Sequence, residues 1–329
     1  MNHLFTILQI KKKYLLLFLF YLFFGISSLS YAQQVNIYST DFETIPTGWT
    51  INNGTNGSWA LGTPSNGGAR SGLNAYATNL TGNYSNSENS DITSPNISIP
   101  SVSYPITLSF WEKRIITDGS GDYVNVEIRI GTGTWNTLHS SSGTQNISTW
   151  SLRQITIPDS YKGQNVQIRF RFVSDNYNTA LGWYIDDVSI YYIPTGTISG
   201  NVKRNVINTN VSGVTITVRN GSVLGTTTTD ANGNYSITVP VGTDTVIPSS
   251  TGLTFTPTQR VVSVTQGGNH TGNDFIVNGG VVSGVVTGPS GPLNGVTITA
   301  SGGYTTTTNS SGVYQLFIPT SGSANITIT

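Results

Sequence analysis

Short runs in which apolar and polar residues alternate strictly recur along this chain and limit what it can fold into. Examples are YVNVEIRI at 123–130, NVQIRFRFV at 165–173 and GVTITV at 213–218. A period of two places every second side chain on one face of a strand, so each run predicts a strand with one buried face. After Ala32 no stretch of ten or more residues has a convincing helical period, and Gly, Asn, Ser and Pro clusters separate the runs. The sequence therefore predicts an all-β protein.

Charge and cysteine content exclude several functions. Only 9% of the 329 residues are charged, with 15 Lys or Arg balanced by 15 Asp or Glu. A net charge of zero lacks the broad attraction that a phosphate backbone or an anionic membrane exerts, so we expect no nucleic-acid partner. Cysteine is absent, which excludes disulfides, thiolate metal sites and cysteine nucleophiles. The 36% of hydrophobic residues still suffice for buried cores.

Residues 1–32 have the pattern of a signal peptide. Lys11 to Lys13 precede the apolar run from Tyr14 to Ile26, and the small residues Ser30 and Ala32 suit a cleavage site. The alternative is a transmembrane anchor, but 13 residues rise only about 20 Å as a helix, against a hydrocarbon core of roughly 30 Å. We therefore expect a protein that is secreted or displayed on a bacterial cell surface, with no membrane span in the mature chain.

The composition changes near Pro194, because all six Trp lie between Val35 and Ile193. Beyond this point the chain contains an internal repeat. Its first copy reads ISGNV, SGVTITV and TTTTDANGNYSITVP between 198 and 240, and its second reads VSGVV, NGVTITA and TTTTNSSGVYQLFIP between 282 and 319. Each copy predicts a strand, a loop, a strand and a hairpin whose turn is DANGN or NSSGV. The expected organisation is a domain over 35–193 and repeats over 195–278 and 281–329.

The second repeat is shorter than the first. The first copy continues for 37 residues from Pro240 to Val277, whereas only 10 residues follow Pro319. A sandwich without its final strands would expose unpaired edges, which natural proteins avoid. We expect the second repeat to be incomplete and the sequence to be a fragment of a longer chain; the alternative is a last module that is simply shorter.

Ordered motifs between Asp41 and Ile190 carry a family resemblance. They are DFETIPTGWT, WALGTP, ARSGLNAYATNLTGNYSN, ITSPNISIP, LSFWEKR, VQIRFRFVSD and GWYIDDVSI. The series resembles the cleaved-adhesin, MAM-like and immune-inhibitor-A C-terminal family, which implies a jelly-roll β-sandwich with ligands at its loops or on a concave face. Each repeat, with SGxV, GVxIT, a Thr run and GxYxxxxP, resembles carboxypeptidase-regulatory-like, transthyretin-like or Ig-like domains. This second resemblance implies β-sandwich spacers without catalytic residues.

The jelly-roll resemblance also implies a structural Ca²⁺ ion. Glu43 of DFE and an Asp of WYIDDV would join backbone carbonyls around it, and calcium takes six to eight oxygen ligands. Strand alternation places Tyr184, Asp186, Val188 and Ile190 on one face, so Asp186 ranks before Asp187 as the inward ligand. The alternative is two solvated strand-end acids. Asp122, with Asp118 in TDGSGDYV, is a weaker cation candidate, for which a hairpin turn is the better interpretation.

Aromatic residues supply the candidates for ligand binding. Trp135, in the turn-like GTGTWNT, ranks first as an exposed stacking platform for a sugar, followed by Tyr76, Asn83 and Tyr84 of the YATNLTGNYSN segment. Trp49, Trp59 and Trp111 are expected to pack in the core or against strands.

No catalytic motif is visible. The chain lacks HExxH, GxSxG and GxxxxGK[ST], and its two mature histidines, His139 and His270, lie in predicted polar loops. Glu112 and Glu127 are a conceivable glycosidase pair that no motif supports. We therefore expect no enzyme activity in these 329 residues.

Three functions remain open. The first is a non-catalytic binding or adhesion protein, whose jelly roll presents its loops to a glycan or an extracellular protein while the repeats act as spacers. The second is the ancillary region of an exported peptidase or glycoside hydrolase whose catalytic domain lies outside this sequence. The third is a purely structural spacer.

Overall fold

A computed structural model describes residues 34–44, 48–117, 121–319 and 325–329. The expected signal peptide and Asp118 lie outside these residues. The described chain divides into two compact units, Gln34–Pro194 and Thr195–Thr329. Within the described ranges, no helix has both the length and the apolar character that crossing a membrane requires.

The first unit is built from antiparallel strands. In chain order they are β1 (Val35–Thr40), β2 (Thr50–Thr55), β3 (Ala60–Gly62), β4 (Ala75–Ala77), β5 (Asn89–Thr93), β6 (Ile97–Ser98), β7 (Ile106–Ile116), β8 (Tyr123–Ile130), β9 (Asn136–Ser142), β10 (Gln145–Ile157), β11 (Asn165–Val173) and β12 (Gly182–Tyr192), with a short 3-10 helix at Asp159–Tyr161. The first sheet has the order β10-β7-β12-β4-β3, and β1 also pairs with β12. The second has the order β2-β5-β11-β8-β9, and β6 also pairs with β11. The predicted β-sandwich is confirmed.

An aromatic core fills the space between the two sheets. β11 buries Val166, Ile168, Phe170 and Phe172 on one face, as its alternation predicts. The Phe170 ring of the second sheet meets Phe110 and Trp183 of the first sheet edge to face, with centroids 4.9 and 5.6 Å apart. Burying each such side chain contributes about 1.5–3 kcal/mol, so these rings are a main source of the sandwich's stability.

The strand β12 changes face at a β-bulge. Its register against β7 shifts between Asp186 and Ser189, and Asp187 has a φ of +47°. Asp186 therefore lies opposite Trp111 on the outer face, whereas Val188 belongs to the core. The prediction that Asp186 and Val188 share a face is wrong, because one extra residue reverses the alternation. Trp111 consequently lies outside the core, while Trp49 and Trp59 lie within it.

The second unit contains two successive segments of strands. The first segment comprises β13 (Thr195–Arg204), β14 (Thr215–Asn220), β15 (Ser222–Thr228), β16 (Asn234–Pro240), β17 (Gly242–Ser249), β18 (Phe255–Thr256), β19 (Arg260–Val264), β20 (Asn269–His270) and β21 (Phe275–Val277). The second comprises β22 (Gly280–Val285), β23 (Thr287–Gly288), β24 (Gly291–Pro292), β25 (Thr297–Ala300), β26 (Tyr304–Thr307), β27 (Val313–Ile318) and β28 (Ile326–Ile328). In the first segment the sheet β16-β13-β21-β18, with β20 beside β13, packs on the sheet β15-β14-β17-β19.

Equivalent strands of the two segments pair in the same way. β13 pairs with β16 as β22 pairs with β27, and β14 pairs with β15 and β17 as β25 pairs with β26 and β28. β23 pairs with β24. The DANGN turn is formed by Asp230, whose Oδ1 accepts bonds of 2.8 Å from the amides of Asn232 and Asn234. This turn joins β15 and β16 of different sheets, so the expected hairpin is instead a corner between sheets.

One acidic side chain is buried in the first repeat. Asp244 of β17 is completely inaccessible, and no described residue makes a hydrogen bond of ordinary geometry to either of its carboxylate oxygens. Burial raises the pKa of Asp244, and the nearby Asn220 amide opposes this effect only in part. An uncompensated buried charge is costly, so Asp244 destabilises this repeat at neutral pH.

We expect Asp244→Asn to stabilise the repeats by about 1–3 kcal/mol at pH 8. Because the pKa of Asp244 is raised in the folded state, the protonated side chain adds to the stability of the fold. This contribution to stability is fully present below the unfolded pKa of about 3.9 and is lost as the pH rises through the folded-state pKa. The advantage of the variant should therefore be small at pH 4 and grow with pH. Urea unfolding from pH 4 to 8 measures it, with the turn variant Asp230→Asn as the control. Equal stabilities at pH 8 would contradict the prediction.

Candidate functional site

Two acidic side chains hold the β3–β4 loop, residues 63–74, against the first sheet. Asp186 Oδ2 accepts the amides of Arg70 and Ser71 at 2.8 and 3.2 Å. Glu43 Oε1 accepts the amides of Leu73 and Asn74 at 2.9 and 2.7 Å. Because β1, which precedes Glu43, pairs with β12, the fold brings both acids to one loop.

Gly72 allows Glu43 to approach this loop closely. Its φ is +53°, and a Cβ atom there would lie 2.1 Å from the carboxyl carbon of Glu43. Any larger residue would displace the carboxylate and strain the backbone. The loop therefore depends on a glycine at this position.

The acids near the loop differ in their environments. Burial raises the pKa of Asp186 to about 6, although the amides of Arg70, Ser71 and Asp187 stabilise its charged form. Both carboxylate oxygens of Asp186 therefore already accept hydrogen bonds, Oδ2 from the Arg70 and Ser71 amides and Oδ1 from the Asp187 amide. Asp187 is only partly buried, and its Oδ1 accepts the Ser71 hydroxyl at 2.7 Å. Glu43 uses Oε1 for both of its bonds, which leaves Oε2 for a further ligand.

An open depression lies beside Asp187. It has a volume of about 510 Å³ and is lined by Ser39, Thr40, Asp41, Ser109, Trp111, Asp187, Val188 and Ser189. Among the residues that the structure describes, no three His, Asp or Glu side chains are grouped so that they alone hold a metal ion. The donors present are carboxylate, hydroxyl and carbonyl oxygens, which is the set that calcium takes. Of the three predicted ligands, Glu43 and Asp187 have the freer oxygens.

The weaker candidates have structural roles. Asp122 is completely buried, where Oδ2 accepts the Tyr84 hydroxyl and Oδ1 accepts the Asp175 amide at 2.8 Å. Tyr84 packs on Phe172 in the core, and Tyr76 is also buried, so neither ring has a face for a ligand. Asn83 is exposed, but its amide donates to the Thr179 carbonyl at 3.0 Å. The structure thus corrects the interpretation of Asp122, Tyr76 and Tyr84.

Trp135 lies over the outer face of the second sheet. The guanidinium carbons of Arg129 and Arg169 are each 4.3 Å from the centre of an indole ring of Trp135, which is partly exposed. Arg169 forms an ion pair with Glu127 at 2.6 Å and lies 3.8 Å from Asp91. These contacts fix the ring on a charged surface.

Further polar groups extend this surface on both sides of Arg169. Arg129 donates to Gln167 at 3.0 and 2.7 Å, and Asn52 donates to Asp91 at 3.2 Å. We call the set of Asn52, Asp91, Glu127, Arg129, Trp135, Gln167 and Arg169 the Trp135 face. A flat ring surrounded by fixed donors and acceptors is suited to a polar ligand with one apolar face. Alternation alone does not reveal this set, because its members come from five separate segments.

Glu112 and Glu127 lie on opposite sides of the second sheet. Glu112 is directed into the core, where its carboxylate contacts Arg153 and Trp183, whereas Glu127 lies on the outer Trp135 face. A glycosidase pair must flank one bond at 5–9.5 Å, so these two residues do not form such a pair. His139 lies on β9 instead of in a loop, and burial lowers its pKa, as do Arg153 and Arg114. His270 lies on β20.

The fold and its surfaces define the first unit as a β-sandwich domain with polar outer faces, followed by smaller β-sandwich repeats. No protein-family model matches the chain. It is 40% identical over 154 residues to Bacillopeptidase F of Bacillus subtilis, covering 46% of this chain and 10% of that protein. It is 37% identical over 124 residues to Chitinase ChiA of Flavobacterium johnsoniae, covering 35% of this chain and 8% of that protein. The chain thus spans about a tenth of the length of these relatives.

A solved structure with a similar arrangement is the K1 cleaved adhesin domain of Lys-gingipain from Porphyromonas gingivalis. It is 18% identical, with a TM-score of 0.35, and the match covers 46% of this chain and 96% of that domain.

Proposed function

We propose that this chain is the non-catalytic binding part of a secreted or cell-surface protein. Its first unit would bind a glycan on the Trp135 face, and the repeats would serve as spacers. The observation that carries this proposal is the partly exposed indole of Trp135, held by Arg129 and Arg169 among side chains that are already oriented. Preoriented groups lose little entropy when a ligand binds, which favours recognition through hydrogen bonds.

A glycan suits this surface better than a charged polymer. The basic groups are matched by Glu127 and Asp91, so the face has no excess of one charge for long-range attraction. Sugar rings combine an apolar face with hydroxyl groups, and the Trp135 face offers an aromatic ring beside carboxylate, amide and guanidinium groups. A relative named a chitinase supports chitin as the first glycan to test.

A second candidate function is the ancillary region of an exported hydrolase. The curated relatives are a bacillopeptidase and a chitinase, and the similarity is limited to about a tenth of each. That limited overlap favours a binding module attached to a separate catalytic domain. The same Trp135 face would then hold the enzyme on its substrate. The remaining alternative, a purely structural spacer, differs from both because it would bind no glycan.

We also propose a structural calcium ion beside the β3–β4 loop. Glu43 and Asp187 would provide carboxylate oxygens, and backbone carbonyls would complete the shell. An ion here would neutralise acids that bond to the same loop and would hold that loop on the first sheet. Asp186 would act mainly through its bonds to the loop amides.

The glycan proposal is tested with Trp135→Ala. We expect the chain to bind chitin and soluble chitin oligosaccharides, and the variant to bind them at least about tenfold more weakly, since aromatic anchors dominate such sites. Calorimetry and pull-down with insoluble chitin measure this, with xylan and mannan as further ligands.

Trp111→Ala removes an indole from the other sheet and is the matched control. Thermal unfolding verifies that both variants fold. If the chain binds none of these glycans, the glycan proposal fails; if it binds and Trp135→Ala binds equally well, the assignment to the Trp135 face fails.

A further inference from the structure

A buried lysine lies on the outer face of the first sheet. Lys113 of β7 is only 4% exposed because the β3–β4 loop covers it. Its Nζ donates to the Asn66 carbonyl and lies 4.4 Å from the ring centre of Tyr184. A Cβ atom on Gly67, whose φ is +81°, would lie 3.2 Å from this Nζ. The loop thus leaves just enough space for the ammonium group.

Within the part of the chain that the structure describes, no acidic group forms an ion pair with this lysine. Within the described residues, the ion pairs involve Glu112, Asp159, Asp91 and Glu127, and none includes Lys113. Burial lowers the pKa of Lys113. The Asn66 carbonyl and the rings of Tyr184 and Trp150, the latter centred 5.5 Å from Nζ, offset only part of the desolvation cost of an ammonium group. Lys113 therefore has unused capacity for a negatively charged partner.

A second depression lies directly beside Lys113. Its volume is about 450 Å³, and it is lined by Asn66, Gly67, Lys113, Ile115, Ser148, Thr149, Trp150 and Leu181. Small-molecule sites span about 300–1,000 Å³, so this volume suits one or two sugar rings. The Nε1 atom of Trp150 is buried, and no described residue accepts its hydrogen bond.

A β-bulge forms the wall of this depression. The register of β10 against β7 is interrupted between Ile147 and Ser151, so residues 148–150 leave the regular ladder. These are the residues that line the depression opposite Lys113. Bulges of this kind redirect side chains and are frequent beside functional sites.

We propose that the depression between Lys113 and Trp150 binds a carboxylate-bearing saccharide, such as a uronic acid residue. Lys113 would pair with the carboxylate, Trp150 would contact the ring, and the hydroxyls of Ser148 and Thr149 would contact the sugar hydroxyls. Trp150 favours a sugar over an acidic peptide, because a flat ring matches the apolar face of a pyranose. The site lies on the first sheet and does not depend on the Trp135 face.

The test compares trigalacturonate with neutral galactotriose on the full chain. We expect calorimetry to show binding of trigalacturonate at least tenfold tighter than of galactotriose, and we expect added salt to weaken it. Lys113→Met should abolish the preference for the acid and raise the melting temperature, because it removes an unpaired buried charge. If Lys113 served only to stabilise the fold, Lys113→Met would lower the melting temperature instead.

Further variants keep the test decisive. Trp150→Ala on the edge strand should weaken trigalacturonate binding tenfold even if Lys113→Met fails to fold, and Lys162→Met, which removes the lysine paired with Asp159, should leave it unchanged. Binding should persist in Trp135→Ala, which separates this site from the Trp135 face. Equal affinity for both trisaccharides, or capture of poly-glutamate in preference to trigalacturonate, would overturn the proposal.

Discussion

Glu112→Ala is expected to destabilise the first unit by about 3–5 kcal/mol, which is the cost of breaking a buried charge network. Glu112 is 1% exposed and directed into the core. Its Oε1 accepts Arg153 Nε at 2.6 Å, and its Oε2 lies 3.0 Å from both Arg114 Nε and Trp183 Nε1. Removing the carboxylate would leave the Arg153 guanidinium and the Trp183 indole N–H without their acceptor, and the buried Arg114 without its counter-ion.

Urea unfolding followed by tryptophan fluorescence measures this loss. The control is Asp159→Ala, which removes an acid whose side chain is 83% exposed and whose pair with Lys162 is worth about 0–1 kcal/mol. Replacing Glu112, Arg114 and Arg153 together by leucine or methionine should recover most of the stability, because no charge then remains buried. A loss below about 1 kcal/mol for Glu112→Ala would show that water reaches the network and solvates the two arginines.

Excess Ca²⁺ is expected to raise the melting temperature of the first unit by roughly 5–10 °C. An ion bound only by the folded state adds about 2.7 kcal/mol at one hundred times its dissociation constant, and a unit of this size gains about 2–4 °C per kcal/mol. Differential scanning calorimetry with Ca²⁺ and with chelator measures the shift. Mg²⁺ should give much less, because it requires a smaller octahedral shell.

Four substitutions, one of them a remote control, separate the ion from the loop contacts. Glu43→Gln and Asp187→Asn should abolish the calcium-dependent shift, whereas the remote Asp159→Asn should leave it intact. Asp186→Asn should lower the melting temperature even with chelator, because it weakens the bonds to the Arg70 and Ser71 amides. An unchanged melting temperature in the unmodified chain would remove calcium from this account.

The strands and much of the core were predictable from residue order. The alternation in NVQIRFRFV correctly assigns Val166, Ile168, Phe170 and Phe172 to one buried face. It succeeds because a regular strand separates its faces at every residue. The repeat pattern likewise predicted equivalent strands, since β13 with β16 and β22 with β27 pair alike.

The same rule fails where a strand is irregular or where polar residues are buried. The bulge at Asp187 places Asp186 and Val188 on opposite faces, against the alternation. Glu112 and Arg114 occupy core positions that alternation predicts for apolar residues, because Arg153 and Trp183 of neighbouring strands contact Glu112, and Glu112 in turn pairs with Arg114. Such partners lie about 40 or more positions away from Glu112, so local sequence does not reveal them.

The all-β class, the alternating strands and the duplicated segments could be predicted from residue order, because they follow from local periodicity and turn chemistry. Three contacts became visible only in the folded chain: Glu43 and Asp186 bond to the same β3–β4 loop, Trp135 rests on two arginines, and Lys113 is buried with no acid paired to it among the described residues. Each of these contacts joins separate strands through sheet pairing and loop packing. A site of this kind exists only once the sheets have formed.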